Sequence, residues 1–158
     1  MDIDIAHEKT SKATPQTQKE EEEAPEPEFL LVEDNPINLR ILSLYMKKLG
    51  RAHHTATNGS LAVEAYKANP NYCKHIFMDV SLPVMDGFEA TRNIRAYERE
   101  HQLKPCFIFG LTHLLSESAQ QEASGSGMDL LLTKPRELKQ LAMILQSRGL
   151  LPDKFWRW

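Results

Sequence analysis

Five short runs suited to β-strands, each followed by a stretch with helical spacing, constrain this 158-residue chain more than any other feature. Four are apolar: Phe29–Val32, Ile76–Met78 within His75–Asp79, Cys106–Leu111 and Leu130–Leu132. The fifth, over 51–57, is polar and is expected at a sheet edge. Continuous apolar strands alternating with amphipathic helices need cover on both faces, which a parallel sheet between helical layers provides.

The first helix is expected from Pro36 to about Leu49, with Asn35 as N-cap and Gly50 as the stop. Ile37, Ile41, Leu44, Tyr45 and Lys48 mark one stripe on it. A second helix is expected from Ser60 to about Asn69, with Leu61, Ala62, Ala65 and Tyr66 on one side. A third runs from Phe88 to about Glu100, with Ala90, Ile94 and Tyr97 facing inward. A polar helix follows over about Ser116–Ser124, closed by Gly125 and Gly127. The last spans about Arg136–Ser147, where Leu138, Leu141, Ala142 and Leu145 give the clearest amphipathic pattern of the chain. Right-handed crossovers then lead to a doubly wound α/β fold. The expected product is a flavodoxin-like (βα)5 domain with a parallel five-stranded sheet in the order 2-1-3-4-5.

Charge divides the chain. Residues 1–28 hold nine acidic and three basic residues, net −6, leaving the remainder at net +3. Few large apolar residues and the block Glu20–Glu23 followed by Pro25 and Pro27 make 1–28 read as a disordered acidic tail. The folded domain is expected over 29–148 and a C-terminal extension over 149–158, which holds both tryptophans, Trp156 and Trp158. The near-neutral folded part gives no argument for nucleic-acid binding. No apolar run reaches the length of a membrane span, so no membrane contact by these residues is expected. Cys73 and Cys106 form no CxxC pair, which suits a reducing cytoplasmic or nuclear setting.

Polar residues stand where the apolar runs stop: Glu33-Asp34, Asp79, Thr112 and Lys134. In a parallel sheet all these ends share one edge. Three carboxylates together repel unless a cation offsets them, and hard oxygen ligands suit Mg2+. A hydroxyl and an ammonium beside that metal make a place for a phosphoryl group. On this reading Asp79 attacks phosphorus, Glu33 and Asp34 hold the metal, and Thr112 and Lys134 bind phosphoryl oxygens. Each residue also has an ordinary use, as a helix cap, a turn residue or a surface lysine; it is their joint occurrence at successive strand ends that argues for chemistry.

The motifs Leu31-Val32-Glu33-Asp34-Asn35, Met78-Asp79 with Pro83-Val84-Met85-Asp86-Gly87, Leu111-Thr112 and Thr133-Lys134-Pro135 resemble the receiver domains of two-component phosphorelays. Asn35-Pro36-Ile37-Asn38 and Gln120-Gln121-Glu122-Ala123 most resemble the receivers of fungal-type hybrid histidine kinases. The resemblance implies Asp79 as phospho-acceptor, Glu33, Asp34, Asp79 and the backbone carbonyl of Ser81 as Mg2+ ligands, Thr112 as switch hydroxyl and Lys134 as phosphate contact. It also implies a cis bond at Lys134–Pro135 and two partners, a sensor or hybrid histidine kinase and a histidine phosphotransfer protein. The implied function is phosphorelay signalling by a domain that catalyses only its own phosphorylation.

Two positions depart from the family's pattern: Leu131 stands where an aromatic residue is usual, and His113 follows the switch hydroxyl where a small residue is usual. Both leave room for a rival, a receiver-like adaptor that binds partners without being phosphorylated. A haloacid-dehalogenase-type phosphatase would need a DxD motif that Glu33-Asp34-Asn35 does not supply, and a flavin phosphate would be repelled by Glu33-Asp34.

Overall fold

A computed structural model describes residues 28–152. Strands β1 (Phe29–Val32), β2 (His53–Ala56), β3 (His75–Asp79), β4 (Phe107–Thr112) and β5 (Leu130–Thr133) alternate with helices α1 (Pro36–Lys48), α2 (Gly59–Ala68), α3 (Gly87–Glu100), α4 (Glu117–Ser126) and α5 (Leu138–Ser147). All pairings are parallel, and the strand order is β2-β1-β3-β4-β5, as expected.

Alternation along the strands splits the core in two. Leu30, Val32, Ile76, Met78 and Ile108 join Ala62, Tyr66, Ile94 and Ala123 of α2, α3 and α4. Phe29, Leu31, Phe77, Phe109 and Leu111 join Leu42 and Met46 of α1 and Leu141, Ala142 and Leu145 of α5. In the second layer Phe77 and Phe109 stack with centroids 4.6 Å apart.

The helix starts follow local hydrogen-bond chemistry. Asn35 Oδ1 accepts from the N–H groups of Ile37 and Asn38, Asn58 from Leu61, Asp86 from Glu89 and Ser116 from Ala119. Ser116 is therefore the cap of α4 and not its first residue, and α4 runs on to Ser126, where Gly127 takes φ +97°. Gln140 Oε1 accepts from Arg136 N–H at 2.7 Å and Glu137 N–H at 3.3 Å, so α5 opens at Leu138, two residues later than the spacing predicts.

Three expectations are corrected. The stripe Ile37, Ile41, Leu44 on α1 faces outward, at 69%, 42% and 50% exposure, while Leu42, Met46 and Leu49 are buried. Both stripes have helical spacing, and contact with the sheet chooses between them. The Lys134–Pro135 bond is trans, like all peptide bonds among the described residues, in line with the intrinsic preference of X–Pro bonds. Leu130 and Leu61 are exposed, because β5 is an edge strand and Leu61 sits on the outer side of α2. The beginning of the expected C-terminal extension belongs to the core: Leu151 is buried, and the Arg51 guanidinium donates to Leu150 O at 3.0 and 2.6 Å. The expected acidic tail, apart from Glu28, and residues 153–158 lie outside the described residues.

Gly87 shows how tightly the loop after β3 is built. A Cβ there would lie 2.2 Å from Asp79 O and 2.9 Å from Val80 Cα. Gly87→Ala is therefore expected to cost about 3 kcal/mol and to lower Tm by roughly 10 °C. Differential scanning calorimetry checks this; a drop of under about 2 °C would mean that the loop yields freely.

Candidate functional site

The C-terminal edge of a parallel sheet collects the residues that follow each strand, and ligands bind where the strand order reverses. Here the reversal lies between β1 and β3. Glu33 and Asp34 follow β1, Asp79 ends β3, Thr112 ends β4 and Lys134 follows β5. The register brings Val32 beside Met78, Asp79 beside Leu111, and Thr112 beside Thr133.

Lys134 is the centre of the arrangement. Its Nζ donates to Asp79 Oδ2 at 2.5 Å and to Glu33 Oε2 at 3.0 Å. Its own placement comes from Lys134 N–H donating to Thr112 O at 2.8 Å, which carries the sheet pairing one residue past β5. Asp79 is 1% exposed, and its Oδ1 accepts from Ser81 N–H at 3.0 Å. Asn38, on the first turn of α1, donates to Glu33 Oε1 at 3.3 Å. Sequence reasoning missed Asn38; the available signal was its position at the helix start, five residues after Glu33.

The two carboxylates facing Lys134 are driven apart electrostatically. Burial, reinforced by hydrogen bonding with Glu33, pushes the Asp79 carboxyl up to about 7. Burial also opposes ionisation of Glu33, but hydrogen bonds from Asp79 and Lys134 prevail and hold it below the ordinary carboxylate range. Burial works against the Lys134 ammonium, yet its bonds to Asp79 and Glu33 raise its affinity for the proton.

Glu33, Asp34 and Asp79 each offer an oxygen within 4.8 Å of the others. Glu33 and Asp79 are buried and Asp34 is exposed, leaving one side open to water. An all-oxygen set with an open side fits a hard divalent cation such as Mg2+, which keeps several waters.

The structure brings Glu33, Asp34, Asp79, Ser81 and Lys134 together. Thr112 is at the same edge, but its hydroxyl is engaged locally: it donates to Leu114 O at 3.1 Å and accepts from Leu114 N–H at 3.3 Å. His113 is exposed and lines a groove of about 300 Å3 with Glu33, Ile41, Tyr45, Lys134 and Arg136. Leu131 is half-buried and turned toward Gly110, its Cδ1 2.9 Å from where a Cβ on that glycine would stand. The chain thus has an aliphatic side chain folded inward at the position where its sequence departs from the aromatic residue usual in the family.

The sequence profile of the family "Response regulator receiver domain" matches residues 29–146. The "Peroxide stress-activated histidine kinase mak1" of Schizosaccharomyces pombe is 35% identical over 119 residues, which is 75% of this chain and 7% of that protein. The "Response regulator SSK1" of Verticillium dahliae is 37% identical over 101 residues, 64% of this chain and 12% of that protein. The chain thus spans a small part of the curated relatives it matches. The receiver domain of the Pseudomonas aeruginosa sensor histidine kinase PA1611, solved with a magnesium ion in its active-site cleft, superposes with TM-score 0.64 at 35% identity, covering 77% of this chain and 95% of that one. The receiver domain of Saccharomyces cerevisiae Ssk1, solved in complex with the histidine phosphotransfer protein Ypd1, is represented by a match with TM-score 0.70 at 34% identity, covering 82% and 94%.

Proposed function

Because the chain belongs to the response regulator receiver domain family, we propose that Asp79 accepts a phosphoryl group from a phosphohistidine and that this domain relays the group or changes shape in response. The observation that carries the reading is Lys134 joined to both Asp79 and Glu33, with three carboxylate oxygens gathered within 4.8 Å.

The transfer is a substitution at phosphorus. An Asp79 carboxylate oxygen forms the new P–O bond, the P–N bond of the phosphohistidine breaks, and its electron pair leaves with the imidazole. Glu33, Asp34, Asp79 and the Ser81 carbonyl would hold Mg2+, which when bound neutralises charge on the transferring oxygens. Ser81 N–H fixes the carboxylate's orientation. The Lys134 ammonium is placed to exchange a carboxylate contact for a phosphoryl oxygen. The Thr112 hydroxyl would turn from Leu114 to another phosphoryl oxygen, freeing the segment that leads into α4.

The partners that fit are a histidine kinase upstream and a histidine phosphotransfer protein, the class seen with the Ssk1 receiver. The apolar strip Ile37, Ile41 and Leu44 on α1 is exposed next to the acceptor and offers such a partner a face. The adaptor reading draws support from Leu131, which has no ring to move.

Label on a phosphorylated histidine phosphotransfer protein is expected to pass to this chain in Mg2+ and to stay on the donor in EDTA. Asp34→Asn is expected to raise the Mg2+ needed for half-maximal transfer at least tenfold, since even outer-shell changes at metal sites are worth about 10–100-fold. No transfer to a chain that still folds would sink the reading and leave the adaptor.

A further inference from the structure

Helix α1 is one-sided in charge. It carries Arg40, Lys47 and Lys48 and no acidic residue, so its side chains sum to +3. All three cations are exposed, and none is in an ion pair with any described residue. Helical spacing puts Lys48 in line with the exposed Ile37, Ile41 and Leu44, with Arg40 and Lys47 along one flank. The outer face of α1 is thus both apolar and basic, and nothing described covers it.

The chain enters the fold beside the far end of this helix. Strand β1 runs toward the edge that carries Asp79, and α1 runs back from it. Glu28 and Phe29 therefore line one groove with Gly50, Arg51 and Ala52, just past Lys48.

Residues 1–27, outside the described residues, hold eight acidic and three basic side chains, net −5. Asp2 and Asp4 alternate there with Ile3 and Ile5, and Glu20–Glu23 form a block five residues before Glu28. Residues two apart on an extended segment share a side about 7 Å apart. Ile37 and Ile41 stand about 6 Å apart along the helix axis, so two isoleucines can meet two isoleucines while aspartates meet lysine and arginine. Reach is ample: the 23 residues from Ile5 to Glu28 can span up to about 75 Å, against about 20 Å for the whole of α1. The other end of the chain does not fit, since residues 153–158 carry one acidic and two basic side chains and the basic face would repel them.

We propose that residues 2–23 dock on the outer face of α1, with Glu20–Glu23 at the Lys47-Lys48 end and Ile3 and Ile5 on Ile37, Ile41 and Leu44. The acidic segment then shields the approach to Asp79 until a partner displaces it. That shielding rests on the reading that a phosphohistidine partner approaches over the same face, whereas the contact itself does not.

The contact is tested on the full chain with a nitroxide at Ala6→Cys; the native Cys73 and Cys106 are buried and leave the new thiol as the accessible one. The NMR signals of Ile37, Ile41 and Leu44 are expected to broaden selectively. The broadening is expected to fade in about 1 M salt, where the Debye length is about 3 Å, and when Ile3→Ser and Ile5→Ser are added. Unbroadened α1 signals, or stronger broadening on another element, would overturn the contact. Broadening that grows with protein concentration would put a second copy on the face and overturn it equally. For the shielding, phosphohistidine-loaded yeast Ypd1 is expected to transfer roughly tenfold faster to the Ile3→Ser, Ile5→Ser chain than to wild type, the gain expected when a face covered about nine-tenths of the time is freed. Acetyl phosphate is expected to label both chains equally. Equal Ypd1 rates would overturn the shielding. Selective broadening of α1 without transfer from Ypd1 to either chain would uphold the contact and mark failure of the partner reading.

Discussion

Incubated with acetyl phosphate and Mg2+, the wild-type chain is expected to gain the mass of one phosphoryl group, and Asp79→Asn none. Asparagine keeps the shape and can still accept from Ser81 N–H, but its amide is no nucleophile toward phosphorus. The loss is therefore of chemistry and not of fold. Stability separates the two. A carboxyl raised from 3.8 to about 7 by the fold is one whose ionisation the fold disfavours. Its favourable contribution is full below the ordinary carboxylate pKa and is lost as pH rises through about 7. Without Mg2+, Asp79→Asn is thus expected to gain Tm relative to wild type as pH rises through 7, with Lys134 still held by Glu33. Intact-mass spectrometry and calorimetry across pH check both parts. An adduct that persists in Asp79→Asn would mean another residue is the acceptor.

Arg95→Ala is expected to produce the largest loss of stability, about 3–5 kcal/mol, or a Tm drop of roughly 10–15 °C. The Arg95 guanidinium donates to Glu98 Oε1 at 2.7 Å, Cys106 O at 2.8 Å, Gly127 O at 2.9 Å and Asp129 Oδ2 at 2.8 Å. Glu98 accepts in turn from Tyr66 O–H at 3.0 Å and Cys106 N–H at 2.6 Å, while Asp129 accepts from Ile108 N–H at 2.8 Å. One cation so ties α3 to the starts of β4 and β5. Removing it strands Glu98, whose side chain is 2% exposed, as an uncompensated buried charge. Adding Glu98→Gln is expected to recover part of the loss, which a double-mutant cycle measures. The network sits at the sheet edge opposite Asp79, so acetyl phosphate labelling of the folded variant is expected to be unchanged. A loss under about 1 kcal/mol would mean that water replaces the guanidinium.

Much of the site was legible because it depends on connectivity alone. Once strands and helices alternate with one handedness, every strand end falls on one edge, so Glu33, Asp34, Asp79, Thr112 and Lys134 had to share it. The Asn35 cap was legible because it is settled by local hydrogen bonding within three residues. Which stripe of α1 faces the sheet was not legible: that helix is apolar on both sides, and periodicity cannot rank Leu42 and Met46 above Ile37 and Ile41. Arg95 and Glu98 carry no signal in the sequence, because their partners Cys106, Gly127 and Asp129 lie in other segments of the chain. The left-handed turn at Val84, with φ +69°, ran against the residue's own preference, so it could not be found from the residue. The sequence by itself determined the order of elements and the edge where the carboxylates meet, since both follow from local pattern and chain connectivity. Only the tertiary structure decided which faces are buried, which charges pair and where strain is held, since those depend on contacts between segments that no local preference encodes.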